Sequence, residues 1–284
     1  MIAALRVGLQ RVLPQRLLCA VIYHLARTRR PWIKNPLIRW FSTQFGIDLS
    51  DAVNTELTDY PSFNAFFTRA LKPGTRPIAD DHRSIVSPVD GKLTEFGRID
   101  RNQLVQAKGL TYTLEALLAE ESAIVEKFIG GQFATIYLAP HNYHRVHAPL
   151  AGALTRTRYI PGQRFSVNSE TAASISNLFC RNERVVCWFD TVVGEVIAVL
   201  VGALNVSSIS TVELGELRSA SARQWQHDTP SNYAKGTEIG QFNLGSTVVV
   251  LFPNGGMNFS NELSSGMILT MGMSIGALAA TVAA

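Results

Sequence analysis

The chain has 284 residues, with 26 Lys and Arg against 22 Asp and Glu, a formal net charge of +4. Eight basic groups (Arg6, Arg11, Arg16, Arg27, Arg29, Arg30, Lys34 and Arg39) precede the first carboxylate, Asp48, so a head of +8 within a net of +4 leaves the rest at −4. This excludes a nucleic-acid binder coated in positive charge and points to an anionic partner near the N-terminus. Charged residues are 17% against a usual quarter or so, and 46% are hydrophobic, enough for a sizeable core. Cys19, Cys180 and Cys187 form no C-x-x-C pair; their odd number fits a reducing compartment and small buried side chains.

In chain order, Pro14 divides residues 1–29 into two helical pieces, because proline suits a first turn. In the second piece Leu17, Leu18, Val21, Ile22 and Leu25 form one apolar stripe. A third piece is expected from Pro36 to about Phe45. The uncharged run between Arg16 and Arg27 is ten residues, too short to span a bilayer. Basic amphipathic helices with aromatics suit the interface of an anionic leaflet. A transit peptide and a cap on the protein's own core share this pattern; a signal peptide would need a cleavage site where Arg27-Thr28-Arg29-Arg30 stands.

Pro61 to about Leu71 reads as a helix, and Lys72–Pro88 as a loop rich in Pro, Gly and Asp. β signals then dominate. Strands are expected at Phe133–Leu138, Ala153–Ile160, Arg184–Asp190, Val196–Val201, Val206–Thr211 and Thr247–Phe252, with a helix at Leu114–Glu120. Leu263–Ala284 carries no charge, which leaves a C-terminal span conceivable, but its glycines and serines favour a buried strand at Met267–Met271. The expected fold is α+β: residues 1–48 form an amphipathic helical membrane-binding region, and residues 49–284 a mostly β catalytic domain.

Three features could carry chemistry. His141, His144 and His147 lie three apart between Pro140 and Pro149. That spacing fits neither helical nor strand metal pairs, so no metal site is expected; a rigid loop suits acid, base or donor roles. Asp90 sits in the turn Ser87-Pro88-Val89-Asp90-Gly91, and Gly245-Ser246 opens onto the apolar run Val248–Phe252. By residue type alone, a membrane-associated Asp/His/Ser hydrolase built from Asp90, His147 and Ser246 remains open.

The motifs together are more specific. Leu244-Gly245-Ser246-Thr247, the upstream Lys235-Gly236 and Glu238-x-Gly-x-Phe242, the His-x-x-His-x-x-His loop and the Asp90 turn resemble the bacterial, membrane-associated phosphatidylserine decarboxylases. Phe66–Leu71, Arg76-Pro77-Ile78, Gln106–Gly109, Phe165–Asn168 and Asn182–Val185 resemble that family in matching order; the tail after Met271 departs from it. The resemblance implies a proenzyme that cuts itself between Gly245 and Ser246, giving a β chain 1–245 and an α chain 246–284. Ser246 would be the nucleophile, with His147 as base and Asp90 orienting it. The new α-chain terminus would carry a pyruvoyl group derived from Ser246, the only cofactor. A Schiff base with phosphatidylserine would release CO2 and give phosphatidylethanolamine, with His144 doing proton work and Tyr137 and Phe165 walling the headgroup pocket. The implied partners are phosphatidylserine, an anionic membrane surface and the two chains of one proenzyme, with a homo-oligomer open and no nucleic acid. The implied place is the cytoplasmic face of a bacterial cell membrane, held peripherally.

Overall fold

The protein is described here by a computed structural model, which covers residues 15–120, 122–203, 208–218 and 221–279. The expected first helical piece lies outside the described residues, as does the start of the Val206–Thr211 strand.

The head folds into the helices Gln15–Arg27 and Pro31–Phe45. The second begins five residues earlier than expected. Pro31 occupies the first turn, where its missing N–H costs nothing, and the helix carries Pro36 inside it. Gly46, at φ 60°, ends it by returning its N–H to the Ser42 carbonyl. The expected Pro61–Leu71 helix is only Phe63–Phe67, capped by the Ser62 side chain on the Ala65 N–H. It stops at Thr68, after which Leu71 makes an antiparallel bridge to Ala52.

The body is mostly β, in the α+β arrangement expected. Its largest sheet has eight antiparallel strands in the order Arg223–Tyr233, Gly152–Ile160, Arg184–Thr191, Gly194–Gly202, Ser246–Phe252, Gln132–Leu138, Gly91–Arg98 and Ile268–Leu269. A four-stranded sheet runs Gly215–Leu217, Ser208–Thr211, Glu238–Asn243, Arg145–His147. The hydrophobic run after Ser246 becomes an inner strand because both edges are paired and both faces covered: all seven residues are buried. Each fully buried Val, Leu or Phe there contributes about 2 kcal/mol.

The uncharged C-terminal stretch forms the short strands Ile268–Leu269 and Ser274–Leu278. Among the described residues no helix is long and apolar enough to cross a membrane. The expected loop Lys72–Pro88 contains one short strand, Ser84–Val86, paired with Ser274–Leu278.

Two hydrophobic clusters result. The larger fills the β body. The smaller joins Ala26 and Ile38 of the head to Tyr60, Phe63, Phe66, Phe67 and Leu244, so part of the head does cap the protein's own core. Val21, Leu25, Trp32 and Trp40 of the same helices stay exposed.

Candidate active site

Ser246 opens the inner strand opposite Leu138 on one side and Gly202 on the other. The two residues before it are both left-handed, Leu244 at φ 92° and Gly245 at φ 61°. Glycine adopts this without cost, whereas a leucine there stores about 1–2 kcal/mol and needs packing to hold it. The small cluster supplies that packing. Asn243 adds a tether: its amide donates to Ser208 and Ser210, and its oxygen accepts from Asn64 at 3.0 Å. The Ser246 side chain is fully buried, and its Oγ finds no hydrogen-bond partner among the described residues. An unpartnered buried hydroxyl beside a strained peptide is chemically available in a way a satisfied one is not.

His147 lies on the Arg145–His147 strand, and its backbone N–H donates to Pro88. Its Nδ1 is 2.8 Å from the Gly236 carbonyl and its Nε2 3.1 Å from the Tyr143 hydroxyl. A carbonyl only accepts, so Nδ1 carries the proton and Nε2 is the basic nitrogen, accepting from Tyr143. Burial lowers the pKa of His147, partly offset by the Gly236 carbonyl and by the charges of Glu238 and Asp90. Burial raises that of Tyr143, which therefore remains a donor near neutrality.

Asp90 does not hydrogen-bond to His147. Arg76 takes its carboxylate bidentately, Nε at 3.0 Å and Nη2 at 2.7 Å, and the Met271 N–H adds a third bond at 2.8 Å. Arg76 also reaches Asp51 at 2.8 Å, and these bonds push its pKa up. Asp90 thus acts on the imidazole through its charge, not by contact.

His144 is fully buried and stacks on Phe67, with ring centroids 4.0 Å apart and planes at 23°. Neither ring nitrogen makes a well-aligned hydrogen bond to a described residue, although the Pro140 and Ala139 carbonyls lie nearby. Burial first, and the charge of Arg69 second, lower its pKa from 6.5 to about 3, outweighing the opposing pull of the Pro140 and Ala139 carbonyls. The sign of the stability effect follows: above 6.5 both states are unprotonated, whereas below it the unfolded ring binds a proton that the folded ring refuses. Stability should therefore fall as pH drops from 6.5 toward 3, by up to about 1.4 kcal/mol per pH unit from this group. Urea midpoints in neutral and mildly acid buffer measure it; His144→Gln should flatten the fall, and an equal slope in both proteins would assign it elsewhere.

Tyr137 pairs with Thr247 and with Lys92, and all three line a cavity of about 240 Å³. Phe165 does not line it. Asn182 holds the Phe165 backbone at both its N–H and its carbonyl, and the ring packs in the main core under the Arg181 guanidinium. Val167, two residues on, lines the cavity instead.

Sequence reasoning gave no role to Leu244, Phe67, Arg76 or Tyr143, which the structure places against the candidate residues Gly245, His144, Asp90 and His147. The left-handed leucine beside a glycine had no sequence signal, and neither did the pairing of Arg76 with an aspartate fourteen residues away.

Comparison with known proteins bears on the same residues. A family model described as phosphatidylserine decarboxylase matches residues 63–277, and one described as PSD matches residues 5–46. Similar proteins include the phosphatidylserine decarboxylase proenzymes of Alcanivorax borkumensis, 47% identical over 92% of this chain and 91% of that protein, and of Nitrosococcus oceani, 45% identical over 95% and 90%. That of Methylococcus capsulatus is 43% identical over 95% of each chain. The left-handed turn before a buried, unpartnered serine and this family match together span head and body, and the chain belongs to the phosphatidylserine decarboxylase family.

Proposed function

We propose that this enzyme converts phosphatidylserine to phosphatidylethanolamine and CO2 with a pyruvoyl group made from its own Ser246. The observation that carries this is the Ser246 hydroxyl, buried without a partner directly after two left-handed residues. That setting fits a residue whose hydroxyl turns on the peptide before it.

Ser246 Oγ attacks the Gly245 carbonyl while His147 Nε2 accepts its proton, once Tyr143 releases that nitrogen; Nδ1–H stays on the Gly236 carbonyl throughout. The peptide becomes an ester. Loss of the Ser246 α-proton breaks the Cβ–O bond, leaving Gly245 as a carboxylate and the former serine as dehydroalanine. Water then replaces its nitrogen, which leaves as ammonia, and the product is a pyruvoyl terminus on residues 246–284. Bound there, the group supplies a ketone that condenses with the substrate amine and takes up the electron pair left by CO2. Arg76 and Met271 hold Asp90 so that its charge favours the protonated form of His147 during the first step. His144, kept neutral by burial against Phe67, serves the proton exchange at Cα after CO2 departs.

Residues 1–48 are the membrane-binding region and residues 49–284 the catalytic domain. Exposed Trp32 and Trp40 stand among exposed Arg29, Arg30 and Arg39, a combination that suits peripheral attachment to an anionic cytoplasmic leaflet.

Denaturing mass spectrometry of protein that releases CO2 from phosphatidylserine should find two polypeptides, 1–245 and 246–284, the smaller without a free amino terminus. An uncut chain in an active preparation would overturn the pyruvoyl reading.

A further inference from the structure

Successive side chains of a strand leave on opposite faces, so Thr247 does not share the environment of Ser246. It falls in a cross-strand row with Tyr137 and Lys92, on the face that borders the cavity of about 240 Å³. Thr247 is 1% exposed, and its Oγ1 has no hydrogen-bond partner among the described residues. At the rim stand Lys92 and Lys108, both exposed, and no ion pair or hydrogen bond involves either ammonium among the described residues. Glu95 is the one carboxylate among the described residues lining the cavity, and burial raises its pKa. Gln106, by contrast, is spent on the wall: its amide donates to Ala172 and Ile175, and its oxygen accepts from Leu178.

Two lysines without an ion-pair partner among the described residues at the mouth, against the single carboxylate of Glu95, and an unsatisfied buried hydroxyl within suit an anion with several acceptor oxygens. We propose that Lys92 and Lys108 clamp the phosphodiester of a phospholipid headgroup, with the Thr247 hydroxyl donating to the same group. This rests on the reading that Ser246 becomes the reacting terminus, since Thr247 is then its immediate neighbour. Adjacent Cα atoms are about 3.8 Å apart. A serine headgroup has its phosphorus and its amine four bonds apart, a span of the same order. An anchor on Thr247 therefore leaves the amine within reach of the terminus.

The test uses the mature two-chain enzyme with phosphatidylserine in nonionic micelles. In the double variant Lys92→Gln/Lys108→Gln, KM should rise by about tenfold or more with little change in kcat, the loss of at least one charge-assisted hydrogen bond. Lys92→Arg/Lys108→Arg should recover most of it. Self-cleavage and pelleting with phosphatidylglycerol vesicles should match the unaltered enzyme. An unchanged KM overturns the proposal, and so does a parallel loss of pelleting, which would assign the lysines to the bilayer. Should the Gln pair fail to mature, competition on the unaltered enzyme decides: soluble glycerophosphoserine should inhibit where inorganic phosphate does not. Equal inhibition by the two would overturn the phosphodiester assignment. Failure of the unaltered enzyme to decarboxylate would instead remove the proposed function itself.

Discussion

Ser246→Ala should yield a single uncut chain of 284 residues with no decarboxylation at all. The mutation removes one oxygen atom; on the proposed reading that oxygen attacks Gly245 and then leaves with it as a carboxylate oxygen, and without this elimination no pyruvoyl group can form. Folding should not suffer. The hydroxyl is buried and unpartnered, so its loss removes an unsatisfied group and should leave stability equal or about 1 kcal/mol higher. A thermal melt alongside the gel therefore separates lost chemistry from lost structure. Decarboxylation by intact Ser246→Ala protein would sink the assignment. The competing Asp/His/Ser hydrolase predicts an active unaltered protein that stays in one piece, and its relay would want Asp90 on His147, where Arg76 and Met271 hold it instead.

The second large effect belongs to the head. Trp32 is 70% exposed and Trp40 59%, while Ile38 on the same helix is buried in the small cluster. Trp32 meets Arg30 and Trp40 meets Phe41, but both rings face mostly solvent, so their removal should cost the fold little. Replacing both by Ala should weaken binding to anionic vesicles about 100-fold, roughly tenfold for each ring withdrawn from the interface. Sedimentation with phosphatidylserine vesicles measures this, and raising the salt should weaken what remains, because the arginine contribution is screened. Undiminished pelleting would move the attachment to another surface.

What could be read from the sequence followed local pattern. Val248–Phe252 is apolar without alternation, which is what a strand covered on both faces requires, and Gly194 and Gly202 bound its neighbour. Pattern failed where one residue type has two uses. Pro36 looked like a helix start, yet Pro31 already served and the helix carried the second proline inside. Met267–Met271 is apolar enough for a strand, but only Ile268 and Leu269 pair with Gly91–Arg98. Asp90, His147 and Ser246 stood out as candidates through family motifs, whereas the groups that surround them did not. That Arg76 clamps Asp90, that Tyr143 and Gly236 fix the His147 tautomer and that Phe67 carries His144 are facts of tertiary packing. Phe165 shows how a motif residue can be placed by the core: it stands two residues from Val167, which lines the cavity, while its own ring packs in the main cluster.

Leu244 directly precedes Gly245, yet it belongs to the cluster that holds Ala26, Ile38 and the phenylalanines of the Phe63–Phe67 helix. The same two helices thus present one face to solvent, with Trp32 and Trp40, and another to the cluster around Leu244, with Ala26 and Ile38, so the proposed attachment and the proposed self-processing share a scaffold. A genetic screen for loss of maturation should return substitutions at Ile38 and Phe66, far from Ser246 in sequence, alongside those in the cleavage motif. Second-site suppressors of a mutation at Leu244 should map to the head, so the two regions would change together over descent even though only one of them touches the bond that breaks.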